Sequence, residues 1–259
     1  MQHQRWPPPL HKPTMKAKGK QQVQDSLADD TLQPPFETRE LRGALTKFLK
    51  TTVRDKIAAK DVAIGSYTFG VYAFFDYDGE PIYVGQTTEK LSTRIRRHLT
   101  NQRTDAVAMN VLDPFEVCEI EVWPLPEYEG RSKKDPEARE RVSALEAAIF
   151  KKALAESEFK AVLNEKAPVS SGKAGKLPPS FRQAVVSSEV REVRGHPDTR
   201  IARRAATLAR LAQVISERKV QPGLRRTLVT QAKRLRSLAE RRYETFSGLP
   251  EEEMADDTE

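Results

Sequence analysis

Apolar residues in this chain recur every three or four positions in some stretches and alternate in others, with proline-rich or charged chain between. The stripe Leu41, Leu45, Phe48 and Leu49 predicts an N-terminal helix over residues 36–60. The stretch GVYAFFDYDGEPIYVG, residues 70–85, holds two aromatic-rich runs around Asp78-Gly79. It predicts strands over roughly 67–75 and 81–85 joined by an ordinary β-turn. Leu91, Ile95 and Leu99 then set a helix, and FEVCEIEVWPL predicts a third strand. Strand alternation places Cys118, Ile120 and Val122 on one face, and Val117, Glu119 and Glu121 on the other. Asp135-Pro136 has the form of a helix start, an N-cap followed by proline in the first turn. That helix runs to about Glu156, burying Val142, Leu145, Ile149 and Ala153.

After residue 168 the pattern breaks at VSSGKAGKLPPS, and residues 169–197 read as a linker. Two helices follow over roughly 198–219 and 222–246, separated by Gln221-Pro222-Gly223. Their stripes are Leu208, Leu211 and Ile215, then Leu224, Leu228, Leu235 and Leu238, which predicts a helical hairpin over 198–247. Residues 1–35 read as a disordered, basic, proline-rich tail, and 248–259 as an acidic one.

Charge sharpens this division. The whole chain carries +7. Residues 61–168 hold about 14 Lys and Arg against about 19 Asp and Glu, whereas 173–244 hold about 18 against about 6. An acidic middle and a basic C-terminal part suggest chemistry in one and attraction of a polyanion in the other. A single cysteine, Cys118, excludes a disulfide framework and any zinc site built on several cysteines. No apolar run approaches a membrane span, and the N-terminus lacks the apolar core of a secretory signal, so a cytoplasmic home is expected.

The candidate chemistry lies in the middle segment. Gly70-Val71-Tyr72 is followed after ten residues by Tyr83-Val84-Gly85. Arg94 and His98 stand four apart on the next helix, Glu146 interrupts the apolar run ALEAAIF, and Asn164 closes the segment. In this order, on these element types, residues 61–168 resemble the GIY-YIG nucleases. The resemblance implies an α/β fold, a small three-stranded antiparallel sheet flanked by helices, to which the basic helical pair is appended. It also implies phosphodiester cleavage with one divalent ion, Mg²⁺ or Mn²⁺, and catalytic residues Tyr72, Tyr83, Arg94, His98, Glu146 and Asn164.

These residue types suit that chemistry. Cleavage needs a deprotonating group, charge stabilisation on phosphorus and help for the leaving oxygen. Free tyrosine has a pKa of about 10, so a tyrosine base needs nearby cations that favour phenolate. The resemblance makes Tyr72 the group that activates water, with Tyr83 either orienting it or packing. Arg94 offers a planar fork for phosphate oxygens, and His98 either accepts a proton or holds Tyr72. Glu146 is the metal ligand, because a single hard carboxylate suits a largely hydrated Mg²⁺. Asn164 either caps a helix end or, as the resemblance implies, binds phosphate or shapes the site. Lys90, Arg96, Arg97 and Arg103 are candidate contacts to flanking phosphates.

The expected function is therefore a DNA endonuclease acting on double-stranded DNA, with restriction-like cleavage favoured over repair or mobile-element roles. A homodimer or successive nicks would cut both strands. The competing readings are a nucleic-acid-binding protein that keeps the fold without cutting, and an interaction protein whose basic helices meet another protein.

Overall fold

A computed structural model describes residues 36–100, 111–169, 172 and 175–247. Helix α1 (Phe36–Lys50) turns Leu41, Leu45, Phe48 and Leu49 inward, as their spacing predicts. It ends ten residues earlier than expected. Thr51, Thr52 and Val53 are β-branched and favour extended chain, and strands β1 (Thr52–Asp55) and β2 (Lys60–Ala63) form a hairpin. The Asp55 carboxylate accepts from the Ile57 and Ala58 N–H groups and closes the turn. Residues 40–259 form one compact unit, and residues 1–39 a separate one of which only the opening turn of α1 is described.

The main sheet has four strands, not three. In the order β4 (Pro81–Thr87), β3 (Gly70–Phe75), β5 (Glu119–Pro124), β6 (Phe181–Ala184), every pairing is antiparallel. The fourth strand comes from the segment read as a linker, which also forms helix α4 (Ser188–Gly195). Its four residues were too few for alternation to register in the sequence. Helix α2 (Leu91–Leu99) follows β4, and α3 (Pro136–Glu156) starts at the Asp135 side chain, which accepts from the Ala138 N–H.

The sheet separates two apolar clusters. Tyr72, Phe74, Ile120 and Val122 face one, with Ile95 and Leu99 of α2 and Phe48 of α1. Val71, Ala73, Phe75, Val84 and Trp123 face the other, under Val142, Leu145 and Ile149 of α3. Val117 lies in the first cluster with Ile120 and Val122. It departs from the expected alternation because it follows the 3₁₀ turn Pro114–Glu116 and precedes the strand.

Helices α5 (Pro197–Glu217) and α6 (Pro222–Phe246) match the expected pair, but their arginines do not all face solvent. Arg200, Arg204 and Arg234 are 2–3% exposed. All three donate to Oδ2 of Asp76, at 3.3, 2.9 and 2.7 Å. Arg204 also binds Glu116, Arg200 binds Asp78, and Arg203 binds Asp113. Asp76 and Asp78 belong to the β3–β4 turn, where Oδ1 of Asp76 accepts from the N–H groups of Asp78 and Glu80. The turn expected to be ordinary is thus the anchor of the helical pair. A buried carboxylate is tolerable here because several hydrogen bonds and charges satisfy it.

Candidate active site

The two motif glycines have steric causes. Tyr72 stands opposite Gly85 in the β3–β4 register. A Cβ at Gly85 would lie 2.5 Å from Oη of Tyr72 and 2.9 Å from Cε1 of Tyr83. Only glycine leaves the phenol its place. At Gly70 a Cβ would lie 2.8 Å from the Trp123 carbonyl oxygen, so the strand pairing itself requires glycine there.

Around the phenols the rings form one cluster. The His98 ring meets Tyr72 edge-on at 5.7 Å between centroids and lies 5.1 Å from Tyr83, and the two tyrosine rings are 6.3 Å apart. Tyr72 is fully buried and His98 nearly so. Arg94, one turn before His98 on α2, is a hydrogen-bond partner of Tyr72. Burial opposes the Arg94 charge, while Tyr72 and Tyr83 support it, and the net effect raises its pKa. Its Nε is buried with no hydrogen-bond partner among the described residues.

Glu146 reaches the same place from α3. Burial pushes its carboxyl up to about 7, against the opposing pull of Arg94 and of the Gln86 N–H that its carboxylate accepts from. Gln86 and Arg94 line an open cleft of about 410 Å³ with Thr87, Thr88, Glu89, Lys133, Arg139 and Ser143. The cleft therefore sits beside the Gly85-Gln86 end of the edge strand β4.

The rest of that edge is covered. The Leu163 N–H donates to the Ile82 carbonyl. Asn164 accepts from the Val84 N–H through Oδ1 at 3.1 Å and donates to the Val84 carbonyl through Nδ2 at 2.6 Å. Both ends of its amide are thus occupied by the residue between Tyr83 and Gly85. This geometry is a clamp on the motif strand and not a helix cap.

The candidate phosphate contacts divide. Lys90 is exposed at the start of α2. Arg96 donates to Thr46 Oγ1, and Arg97 pairs with Glu89 at 2.8 Å, so both guanidinium groups already have work inside the protein. Arg103 lies outside the described residues. The sequence reading missed Lys133 and Arg139, exposed cations on the cleft that make no ion pair among the described residues. Their position at the start of α3, facing the turn after β4, had no local signal.

A one-carboxylate donor set fits a mostly hydrated divalent ion. No group of three or more His, Cys, Asp or Glu residues gathers among the described residues, so a protein cage is not what this site offers. Glu146 carries a cost of burial that the pull of Arg94 does not cancel, which a bound divalent ion would offset, and Mg²⁺ characteristically uses one or two carboxylates.

A buried and a half-buried phenol, an arginine with a spare donor and a single desolvated carboxylate thus lie beside one open cleft. Residues 68–152 match the family model of the GIY-YIG catalytic domain, which supports the likeness of this segment to the GIY-YIG nucleases. No curated protein and no solved structure matches the chain. A nuclease domain implies a nucleic-acid substrate, and no helix among the described residues is long and apolar enough to cross a membrane.

Proposed function

We propose that the protein is a divalent-metal-dependent endonuclease that hydrolyses phosphodiester bonds of double-stranded DNA, with restriction-like cleavage as its role. The observation that carries this reading is the position of Arg94, hydrogen-bonded to Tyr72 on one side and attracting Glu146 on the other. A cation that close to a phenol oxygen favours the charged form of the phenol, which lets Tyr72 take the proton of the attacking water. The spare Nε of Arg94 points to a second task, donating to an oxygen of the scissile phosphate as charge grows there.

Tyr83 and His98 hold Tyr72 by ring contact, and Asn164 fixes the strand that carries Tyr83 and Gly85. Glu146 is the residue that would hold Mg²⁺ or Mn²⁺. When bound, that ion supplies Lewis-acid stabilisation of the phosphoryl oxygens and of the departing 3′ oxygen. Lys133 and Arg139 would meet phosphates flanking the cut.

Plasmid cleavage with Mg²⁺ tests the assignment. Tyr72→Phe should lower the rate about 10²–10⁴-fold, the usual contribution of a positioned base, and Glu146→Ala should abolish metal-dependent cutting. Equal cutting by parent and both variants would overturn the site. Binding of duplex by the parent without any cutting would favour a non-cleaving protein with this fold.

A further inference from the structure

The arginines of the helical pair are not evenly used. Toward the C-terminal end of α6, Arg241 pairs with Asp78 and Glu158, and Arg242 pairs with Asp198, while Arg200, Arg203, Arg204 and Arg234 serve the acidic groups beneath. At the opposite end, around the α5–α6 turn, the pattern inverts. Arg218, Lys219, Arg225 and Arg226 are exposed and make no ion pair among the described residues. The nearest acidic residue in the chain there, Glu217, accepts from Gln213.

This turn abuts the segment that clamps the catalytic strand. Arg226 donates to the Glu165 carbonyl at 3.2 Å, and Gly223 lies so close to that carbonyl that a Cβ would collide with it. Glu165 directly follows Asn164, and Lys166, also exposed and unpaired, comes next. Lys166 and Arg226 thus adjoin the Val84 clamp, and Arg218, Lys219 and Arg225 lie around the same α5–α6 turn, all five without an ion pair among the described residues.

We infer that Lys166, Arg218, Lys219, Arg225 and Arg226 form a second backbone-binding surface, which grips nucleic-acid phosphates away from the cut and without reading bases. The inference rests on the nuclease reading for its partner and goes beyond it in assigning affinity to the turn rather than to the whole basic hairpin. The partner is a polyanionic duplex because the surface offers separate cations, spread across a turn, and no apolar pocket or base-stacking aromatic residue among them.

The test measures binding of a 30-base-pair duplex in Ca²⁺ over a range of salt, beside plasmid cleavage in Mg²⁺. The proteins are the full-length parent, Arg218→Ala/Lys219→Ala/Arg225→Ala, and Arg236→Ala/Arg241→Ala as the control from the paired end. The expected result for the triple variant is a loss of about two to three in the slope of log affinity against log salt, since each neutralised phosphate contributes about 0.9. Its cleavage rate at saturating DNA should stay at the parent level, and the control should keep the parent slope. An unchanged slope in the triple variant, with a parent that cuts, overturns the surface and leaves the nuclease reading standing. A reduced slope with a parent that never cuts supports the surface and overturns the nuclease reading. A parent that binds no duplex overturns both.

Discussion

Arginines in two settings of this protein do opposite things. Arg200, Arg204 and Arg234 converge on one carboxylate, Asp76, and lock the C-terminal helices onto the β3–β4 turn. Arg94 is only half-buried and faces a phenol and an open cleft instead of a cluster of carboxylates. The first set is spent on carboxylates inside the fold and is therefore structural. Arg94 instead lines an open cleft, where a phosphate could reach its guanidinium. Arginine content alone says nothing of this distinction; whether the side chain faces the interior or the cleft decides it.

The comparison breaks first at Asp76. Asp76→Ala leaves three guanidinium groups buried without their shared partner, and one of them, Arg234, already has its pKa pressed down by burial. Breaking a buried ion pair costs about 3–5 kcal/mol, a large share of the 5–15 kcal/mol that holds a typical domain together. Denaturant unfolding should show that loss, and a midpoint near that of the parent would mean that the helices dock by their apolar stripes alone. A smaller effect is expected at Asp78, whose side chain is 44% exposed. The hydrogen bond from Arg200 holds its carboxyl below the usual range, against the opposing effect of burial. A depressed folded pKa adds stability at pH values above the unfolded one, about 3.9, and that stability is lost as pH falls through the folded value. The parent should therefore lose stability below about pH 4 more steeply than Asp78→Asn, and parallel acid profiles would remove Asp78 from the anchor.

Much of the candidate site was legible in the sequence because its parts lie on regular elements with clear patterns. Tyr72, Tyr83, Arg94 and Glu146 each sit on a strand or helix that alternation or helical spacing predicts. Ring contacts, the Arg94–Tyr72 hydrogen bond and the pull of Arg94 on Glu146 connect them in space. What stayed hidden depends on long-range partners. Asp78-Gly79 reads as a turn from its neighbours, and nothing local says that Arg200, some 120 residues on, will bind it. The strand β6 was masked by its four-residue length and by the glycine- and proline-rich chain before it. Asn164 revealed its residue type but not its geometry, since a side-chain amide can cap, bind phosphate or pair with a strand edge equally well. The basic C-terminal part showed its charge plainly and concealed how much of that charge the protein consumes itself.

The most direct measurement of the contrast between the two arginine settings pairs plasmid cleavage with denaturant unfolding for Arg94→Ala. Removing a donor to developing charge should lower the cleavage rate about 10²–10³-fold, while the unfolding midpoint stays near that of the parent. Retained cleavage, or a loss of stability comparable to that of Asp76→Ala, would show that Arg94 is one more structural arginine and would contradict the account.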